Sequence, residues 1–444
     1  MSDLRPLVLP DATGDPLPSG LRFLFYCHDT FGLGHLRRTL TLAGTFTATF
    51  PDSEALIVTG SPMAHEYPMP ARVDYVKIPS VTKSSDGAYR ARDLTMPFSR
   101  VRDLRAAILR EVADGYQPDV FLVDHAPLGL EGEALPALVS LQTTRPRCLR
   151  VLGLRDIVDD RLRVRRMWTE QGIYQVLRNG YDRILVYGSQ AMFDVATEYA
   201  LPHGVAQRLR YCGYLDRVHG AVTGSAPADG RVAALQQHAD RAGARLVVLT
   251  VGGGGDGFPL LRAYLTGLRR PTGPALISVL LTGPLMDARE RQELRSLAAA
   301  LPHGTVHLET FVPDPLPLLN AADLVVSMAG YNSVCELLAL RQRTLLCPRT
   351  EPRLEQWVRA SRLAERGLVE VLHPSQWTPD GVMSSVLRSL ERPRPRERQL
   401  ADAGITFTGQ RLAARAIADA LADPRDQPMT FERDRHVAAQ RSFA

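Results

Sequence analysis

The residues of this 444-residue chain best suited to chemistry fall into three groups. The first is His28-Asp29-Thr30-Phe31-Gly32-Leu33-Gly34-His35, a glycine-bearing loop that ends on a histidine. An imidazole titrates near neutrality, and at a helix start its neutral, proton-accepting form is favoured, so His35 is a candidate base. Asp124, His125 and Asp156 are rivals for that role, because they follow short apolar runs that read as neighbouring strands. The second group is the run Gly252–Gly257, whose bare amides suit phosphate oxygens at a helix start. The third is Ala329-Gly330-Tyr331-Asn332, followed by Glu336, Arg349 and Glu355-Gln356. A helix beginning behind Gly330 turns free N–H groups toward an anion. Ser333-Val334-Cys335-Glu336 has the spacing of a capping box, yet the same carboxylate could accept from two ribose hydroxyls. Glu355 and Gln356 follow Pro352, a good first-turn residue, and could reach sugar hydroxyls from the helix start.

Such loops do chemistry only at the carboxyl ends of parallel strands, and the hydrophobic pattern predicts two series of these. The first has strands at Arg22–Cys27, Ala55–Thr59, Asp74–Ile78, Val120–Val123, Leu149–Leu152 and Arg183–Val186. Helices are expected at Leu36–Phe50, Val101–Ala113 and about Gln190–Tyr199. The second has strands at Arg245–Val251, Leu276–Leu281, Val306–Leu308, Leu324–Ser327 and Thr344–Cys347. Its helices are Phe258–Leu268, Asp287–Leu301, Pro315–Asn320, Asn332–Leu340 and Arg353–Arg366. The Gly-, Ala-, Ser- and Pro-rich stretch between the series reads as a linker. The expected organisation is α/β: a disordered segment 1–20, a first Rossmann-like domain 21–215, a linker 216–229, a second domain 230–408, then a closing helix and polar tail 409–444. The length suits two such domains. Lys83–Arg100 reads as a polar loop. Asp160–Gly180 sets Arg161, Arg163, Arg165 and Arg166 beside Trp168, either a solvated helix face or a surface for an anionic acceptor or a membrane.

Bulk properties exclude several classes. A formal charge of +5 with only two lysines gives no reason to expect nucleic acid. Five scattered cysteines without a CxxC disfavour a disulfide framework and a zinc site, and fit a reducing compartment. With no run long enough for a signal peptide or membrane span, a cytoplasmic location is expected. Gly252, Gly254 and Gly257 satisfy GxGxxG, but the next strand runs into Leu280-Leu281-Thr282-Gly283-Pro284 without the carboxylate a dinucleotide ribose needs. No cofactor is expected.

In combination, Gly32-x-Gly34-His35, Gly252–Gly257 and Ala322-Asp323…Ala329-Gly330…Glu336…Pro348…Gln356…Ala360 resemble the glycosyltransferases of the GT-B fold, and among them the MurG-like peptidoglycan N-acetylglucosaminyltransferases. The resemblance is clear over Val306–Gly367, fair at the two glycine loops and faint elsewhere in the first domain. It implies two Rossmann-like domains facing a central cleft. It also implies that Gly253, Gly254, Gly255 and the helix start at Gly330, Tyr331 and Asn332 bind a diphosphate. Phe311 and Val312 would lie against the base, Glu336 would bind ribose, and Glu355 and Gln356 the donor sugar. Gly32 and Gly34 would belong to the acceptor loop. The sequence departs from the family at Arg359, where Asn is common, at Met328, and in the turn Arg349-Thr350-Glu351, which bears on the identity of the sugar.

The reaction so implied is a single inverting displacement through an oxocarbenium-like transition state. Glycine-loop amides, the helix start at Gly330 and Arg349 would meet the charge of the departing diphosphate. No D-x-D is present, since Asp159-Asp160 lacks the spacing, and no metal is expected. A UDP-sugar donor is favoured by resemblance; the acceptor could be a small molecule, a lipid-linked sugar or a polysaccharide. The same scaffold would also suit a nucleotide-sugar 2-epimerase or hydrolase, or a binder without turnover.

Overall fold

The computed structural model describes residues 17–28, 34–83, 88–215, 217–218, 230–269 and 273–422. Gly32, most of the linker and the tail beyond residue 422 lie outside the described residues.

Two parallel sheets carry the molecule. The first contains β1 (Arg22–Cys27), β2 (Glu54–Thr59), β3 (Val73–Lys77), β6 (Val120–Asp124), β7 (Leu149–Arg155), β8 (Arg183–Tyr187) and β9 (Leu209–Tyr211), while β4 (Val81–Lys83) and β5 (Tyr89–Ala91) form a separate antiparallel pair. Its order is β3-β2-β1-β6-β7-β8-β9. The second sheet is β12 (Val306–Glu309), β11 (Leu276–Leu281), β10 (Arg245–Thr250), β13 (Leu324–Ser327), β14 (Thr344–Leu346) and β15 (Glu370–Val371), in that spatial order. The central strands are apolar on both faces, as strands covered by helices on both sides must be. In β6, for example, all five residues of Val-Phe-Leu-Val-Asp are buried.

The strand order reverses between β1 and β6 in one sheet and between β10 and β13 in the other. Loops diverge at such switch points and leave a crevice beyond the strand ends. His28 and the Asp124-His125 pair flank the first; Gly252–Gly257 and Ala329–Tyr331 flank the second.

Three of the predicted strands, β1, β11 and β13, recur with the same bounds and the others with an end shifted by one to three residues; β9 and β15, three and two residues long, were not foreseen. Lys83–Arg100 is not one loop. Val81–Lys83 and Tyr89–Ala91 pair, Tyr89 stacks on Phe98 with ring centroids 5.6 Å apart, and a small apolar cluster forms with Val101 and Leu130. Strands of three residues are too short for their alternation to stand out in a polar stretch. The Arg/Trp segment breaks into helices Arg161–Glu170 and Ile173–Asn179 around Gly172 at φ +65°. Trp168 is buried against Tyr174 and Tyr199, which removes it from any membrane-facing role.

The chain crosses back to the first domain before residue 409. Thr406 accepts from the Tyr214 amide at 2.8 Å, and Leu400 and Ile405 join the first domain's core. Helix Gly409–Ala422 then lies on helix Gly34–Thr49, contributing Ala413, Ala414 and Ile417 to the same core. That core runs unbroken into the second domain through Tyr331, Val334, Cys335 and Leu338. All five cysteines are buried and outside any disulfide, and among the described residues no helix is long and apolar enough to cross a membrane.

Candidate functional site

Helix Gly34–Thr49 starts at the end of the first loop, so His35 stands in its first turn and Arg38 one turn on, on the same face. Both reach Asp124 at the end of β6. His35 Nδ1 donates to Asp124 Oδ2 at 2.6 Å, while Arg38 Nε and Nη2 donate to Oδ1 and Oδ2 at 2.7 and 2.6 Å. Asp124 is fully buried, which alone would raise its pKa. The Arg38 guanidinium and the His35 hydrogen bond overcome that and hold the carboxyl below its usual range. An ionised Asp124 accepts only, so the His35 proton sits on Nδ1 and Nε2 carries the free lone pair. Asp124 and His35 are therefore one device rather than alternatives.

The other two rivals are built differently. His125 takes a left-handed backbone at φ +65°, and Arg155 Nη2 donates to its Nε2 at 2.5 Å. Burial and the neighbouring Arg155 drive its pKa well below the imidazole range, and the Arg155 hydrogen bond occupies the Nε2 lone pair. Asp156 is completely buried; Oδ2 accepts from Tyr214 at 2.8 Å and Oδ1 from the Ile157 amide at 2.8 Å. A β-carbon on Gly188 would fall 2.5 Å from Asp156 Cβ, so no substrate atom approaches from that side. Asp156 is a structural carboxylate, a correction to its place among the candidate bases.

Across the cleft, helix Tyr331–Ala339 begins behind Gly330 with no side-chain cap, and Ala329 before it is forced to φ +61°. A β-carbon on Gly330 would meet nothing, so the space beside the helix start is open. The capping-box alternative falls, because the helix begins two residues before Ser333 and Glu336 lies a full turn inside it. The Glu336 carboxylate is buried and accepts from Arg217 instead. Tyr331 offers the site its amide only. Its ring is buried between Arg38 and Arg359, each 5.7 Å from the ring centre, and its hydroxyl donates to Tyr187 O at 3.0 Å.

The glycine run packs as its composition requires. Gly252 and Gly254 take φ of +61° and +94°, and a β-carbon on Gly254 would stand 2.1 Å from Thr282 O. Gly283 closes the other side, 2.4 Å from Gly253 C by the same measure, and Leu285 N donates to Gly253 O. Gly253 and Gly255 flank Gly254 in this turn. Arg349 braces it: Nη1 donates to Asp256 and Nη2 to Glu355 Oε1, each at 3.0 Å. With Nη1 and Nη2 on two carboxylates Arg349 braces the loop, while its buried Nε is without a partner.

Glu355 and Gln356 open helix Glu355–Glu365, both buried. Gln356 Oε1 accepts from the Arg349 amide at 3.0 Å, while Glu355 Oε2 has no partner. Burial opposes ionisation of Glu355, but Arg349, Arg155 and Arg359 together hold its pKa down. Phe311 and Val312 follow β12, half-buried, with Phe311 edge-on to Tyr67 of the first domain at 6.5 Å.

The two halves are pinned together at the site. Asn332 Nδ2 donates to Gly34 O at 3.0 Å, setting the His35 loop against the helix start. The Leu354 amide donates to Asp159 at 2.6 Å, and Arg163 donates to Pro352 O. Arg38, Arg155, Arg217 and Asp159 were not singled out from sequence. Only Arg38 carried a signal, its three-residue spacing from His35. Arg155 lacks a carboxylate partner among the described residues, and burial beside Arg38 draws its pKa down to about 9.

Residues 248–415 match the glycosyltransferase family 28 C-terminal domain. Two curated relatives are UDP-N-acetylglucosamine--N-acetylmuramyl-(pentapeptide) pyrophosphoryl-undecaprenol N-acetylglucosamine transferases. That of Geobacillus kaustophilus (strain HTA426) is 34% identical over 107 residues, 23% of this chain and 30% of that protein. That of Clostridium kluyveri (strain ATCC 8527 / DSM 555 / NBRC 12016 / NCIMB 10680 / K1) is 39% identical over 80 residues, 17% of this chain and 22% of the relative. The chain thus spans under a third of the length of these relatives. Similar solved structures include the glycotransferase of kitacinnamycin, at TM-score 0.56 and 16% identity over 90% of this chain and all of that one. A putative UDP-N-acetylglucosamine 2-epimerase from Listeria monocytogenes gives TM-score 0.60 and 13% identity over 93% of this chain and all of its own. At these identities the structural likeness speaks to fold alone. Two parallel-sheet domains thus give the chain the GT-B fold, and residues 248–415 of its second half match the glycosyltransferase family 28 C-terminal domain.

Proposed function

We propose that the protein is an inverting glycosyltransferase that moves a sugar from a nucleoside diphosphate sugar, a UDP-sugar first, to an acceptor hydroxyl without a metal. The observation that carries this reading is the Asp124–His35 pair, joined through Gly34 O and Asn332 to an uncapped helix start on the opposite domain. His35 Nε2 takes the proton of the acceptor hydroxyl as its oxygen attacks the anomeric carbon. The bond from that carbon to the diphosphate oxygen breaks on the opposite face, and configuration inverts. Negative charge gathers on the departing diphosphate, where the amides at Tyr331 and Asn332 and the Gly253–Gly255 loop receive it. Glu336 holds the ribose, Phe311 and Val312 the base, and Gln356 with the free oxygen of Glu355 the sugar.

The curated relatives, named for a UDP-sugar and a pyrophosphoryl-undecaprenol acceptor, support UDP and admit a lipid-linked acceptor. The test is incubation with UDP-sugars, alone and with an acceptor panel, followed by NMR. Acceptor-dependent UDP release with an inverted anomeric linkage is expected. An epimer or free sugar formed without acceptor would instead assign an epimerase or hydrolase, and binding without turnover a carrier.

A further inference from the structure

The stretch between the domains brings Arg217 onto the carboxylate assigned above to the ribose. Its Nε and Nη2 both donate to Glu336 Oε1, at 3.0 and 2.9 Å, and Nη2 lies 3.4 Å from Asp314 Oδ1. The Glu336 side chain is 6% exposed, that of Asp314 43%. Arg37, Arg38 and Asn332 line the same cleft, and Arg37 has Nε and Nη2 buried without partners. A carboxylate this deep needs donors at all times, since an unpaired buried charge is costly. Arg217 is that donor, and both of its hydrogen bonds go to Oε1, one of the two oxygens that could accept from ribose hydroxyls. Asp314, a few ångströms away and more exposed, can take the guanidinium when it leaves.

We propose that Arg217 is the counter-ion of Glu336 in the donor-free protein and that ribose hydroxyls displace it toward Asp314, so that Arg217 sets how strongly the site demands those hydroxyls. The proposal rests on the reading of Glu336 as the ribose ligand. Arg217 acts through Glu336 and is a positioning residue. Losing its charge also alters attraction for the diphosphate, but that change is common to every nucleoside diphosphate and cancels in a ratio.

Calorimetry with UDP and 2′,3′-dideoxy-UDP on the wild-type chain, Arg217→Ala, Arg217→Lys and Glu336→Gln measures this. Removing the competing donor should raise the preference for UDP over the dideoxy compound about five-fold in Arg217→Ala, the worth of one hydrogen bond. Arg217→Lys, which keeps the charge and the fold but donates less well, should fall between. An unchanged or smaller preference in both variants overturns the displacement. Failure of the ribose reading looks different: the wild-type chain and Glu336→Gln would then show the same preference as each other.

Discussion

At the scale of single residues, the centre rests on how Asp124 is charged. Its carboxyl is ionised despite burial because Arg38 and His35 hold it so. The folded pKa lies below the unfolded value of about 3.9, so the stabilisation is complete above that pH and fades as pH falls through the depressed folded value. Asp124→Asn should therefore destabilise the protein at pH 7, and the gap from wild type should narrow on acidification; denaturant melts at pH 7 and pH 3 check this. The same variant leaves the His35 tautomer undirected and should lower turnover by about 100-fold or more. Glu336→Ala should weaken UDP binding, by about ten-fold for a charge-assisted hydrogen bond. Unchanged affinity by calorimetry would leave Glu336 as no more than the partner of Arg217. The sequence placed His35, Asp124 and Glu336 at strand ends and helix starts, where chemistry is local. That Asp124 serves His35, while Asp156 serves Tyr214, depends on contacts between distant segments that no spacing reveals.

At the scale of elements, the glycine loops were legible because only glycine satisfies them. Gly254 combines φ +94° with a backbone oxygen 2.1 Å from where a β-carbon would stand. Gly254→Ala should cost about 1–3 kcal/mol of local strain and loosen the loop against Gly283. A lower melting temperature with weaker UDP binding is expected, and thermal shift with and without UDP reads both. Helix Tyr331–Ala339 was anticipated to within one residue; whether Glu336 belongs to a capping box or faces a ligand was left open, and the start of the helix at Tyr331 excludes the box. Spacing alone could not show that the helix begins at Tyr331, since Ser333 and Glu336 fit the box equally well one turn later. The β4–β5 hairpin escaped notice because neither strand is long enough to show a period.

At the scale of the molecule, the two domains share one core, and the chain's last described helix is part of it. Ending the chain after Phe407 would strip Ala413, Ala414 and Ile417 from the surface of helix Gly34–Thr49, which carries His35. The truncated protein should lose its cooperative melt, seen by calorimetry, rather than only its activity. Two domains were evident from two strand series and a linker between them. The return of the chain to the first domain was not, because it rests on contacts such as that of Thr408 with Cys212, 196 residues apart in sequence. The division of labour across this shared core is the central claim: a base on the first domain, a donor site on the second. It is tested most directly by His35→Ala, with UDP affinity from calorimetry set beside acceptor-dependent UDP release. UDP affinity within about three-fold of wild type and turnover reduced about 100-fold or more are predicted. Near-normal turnover would contradict the account.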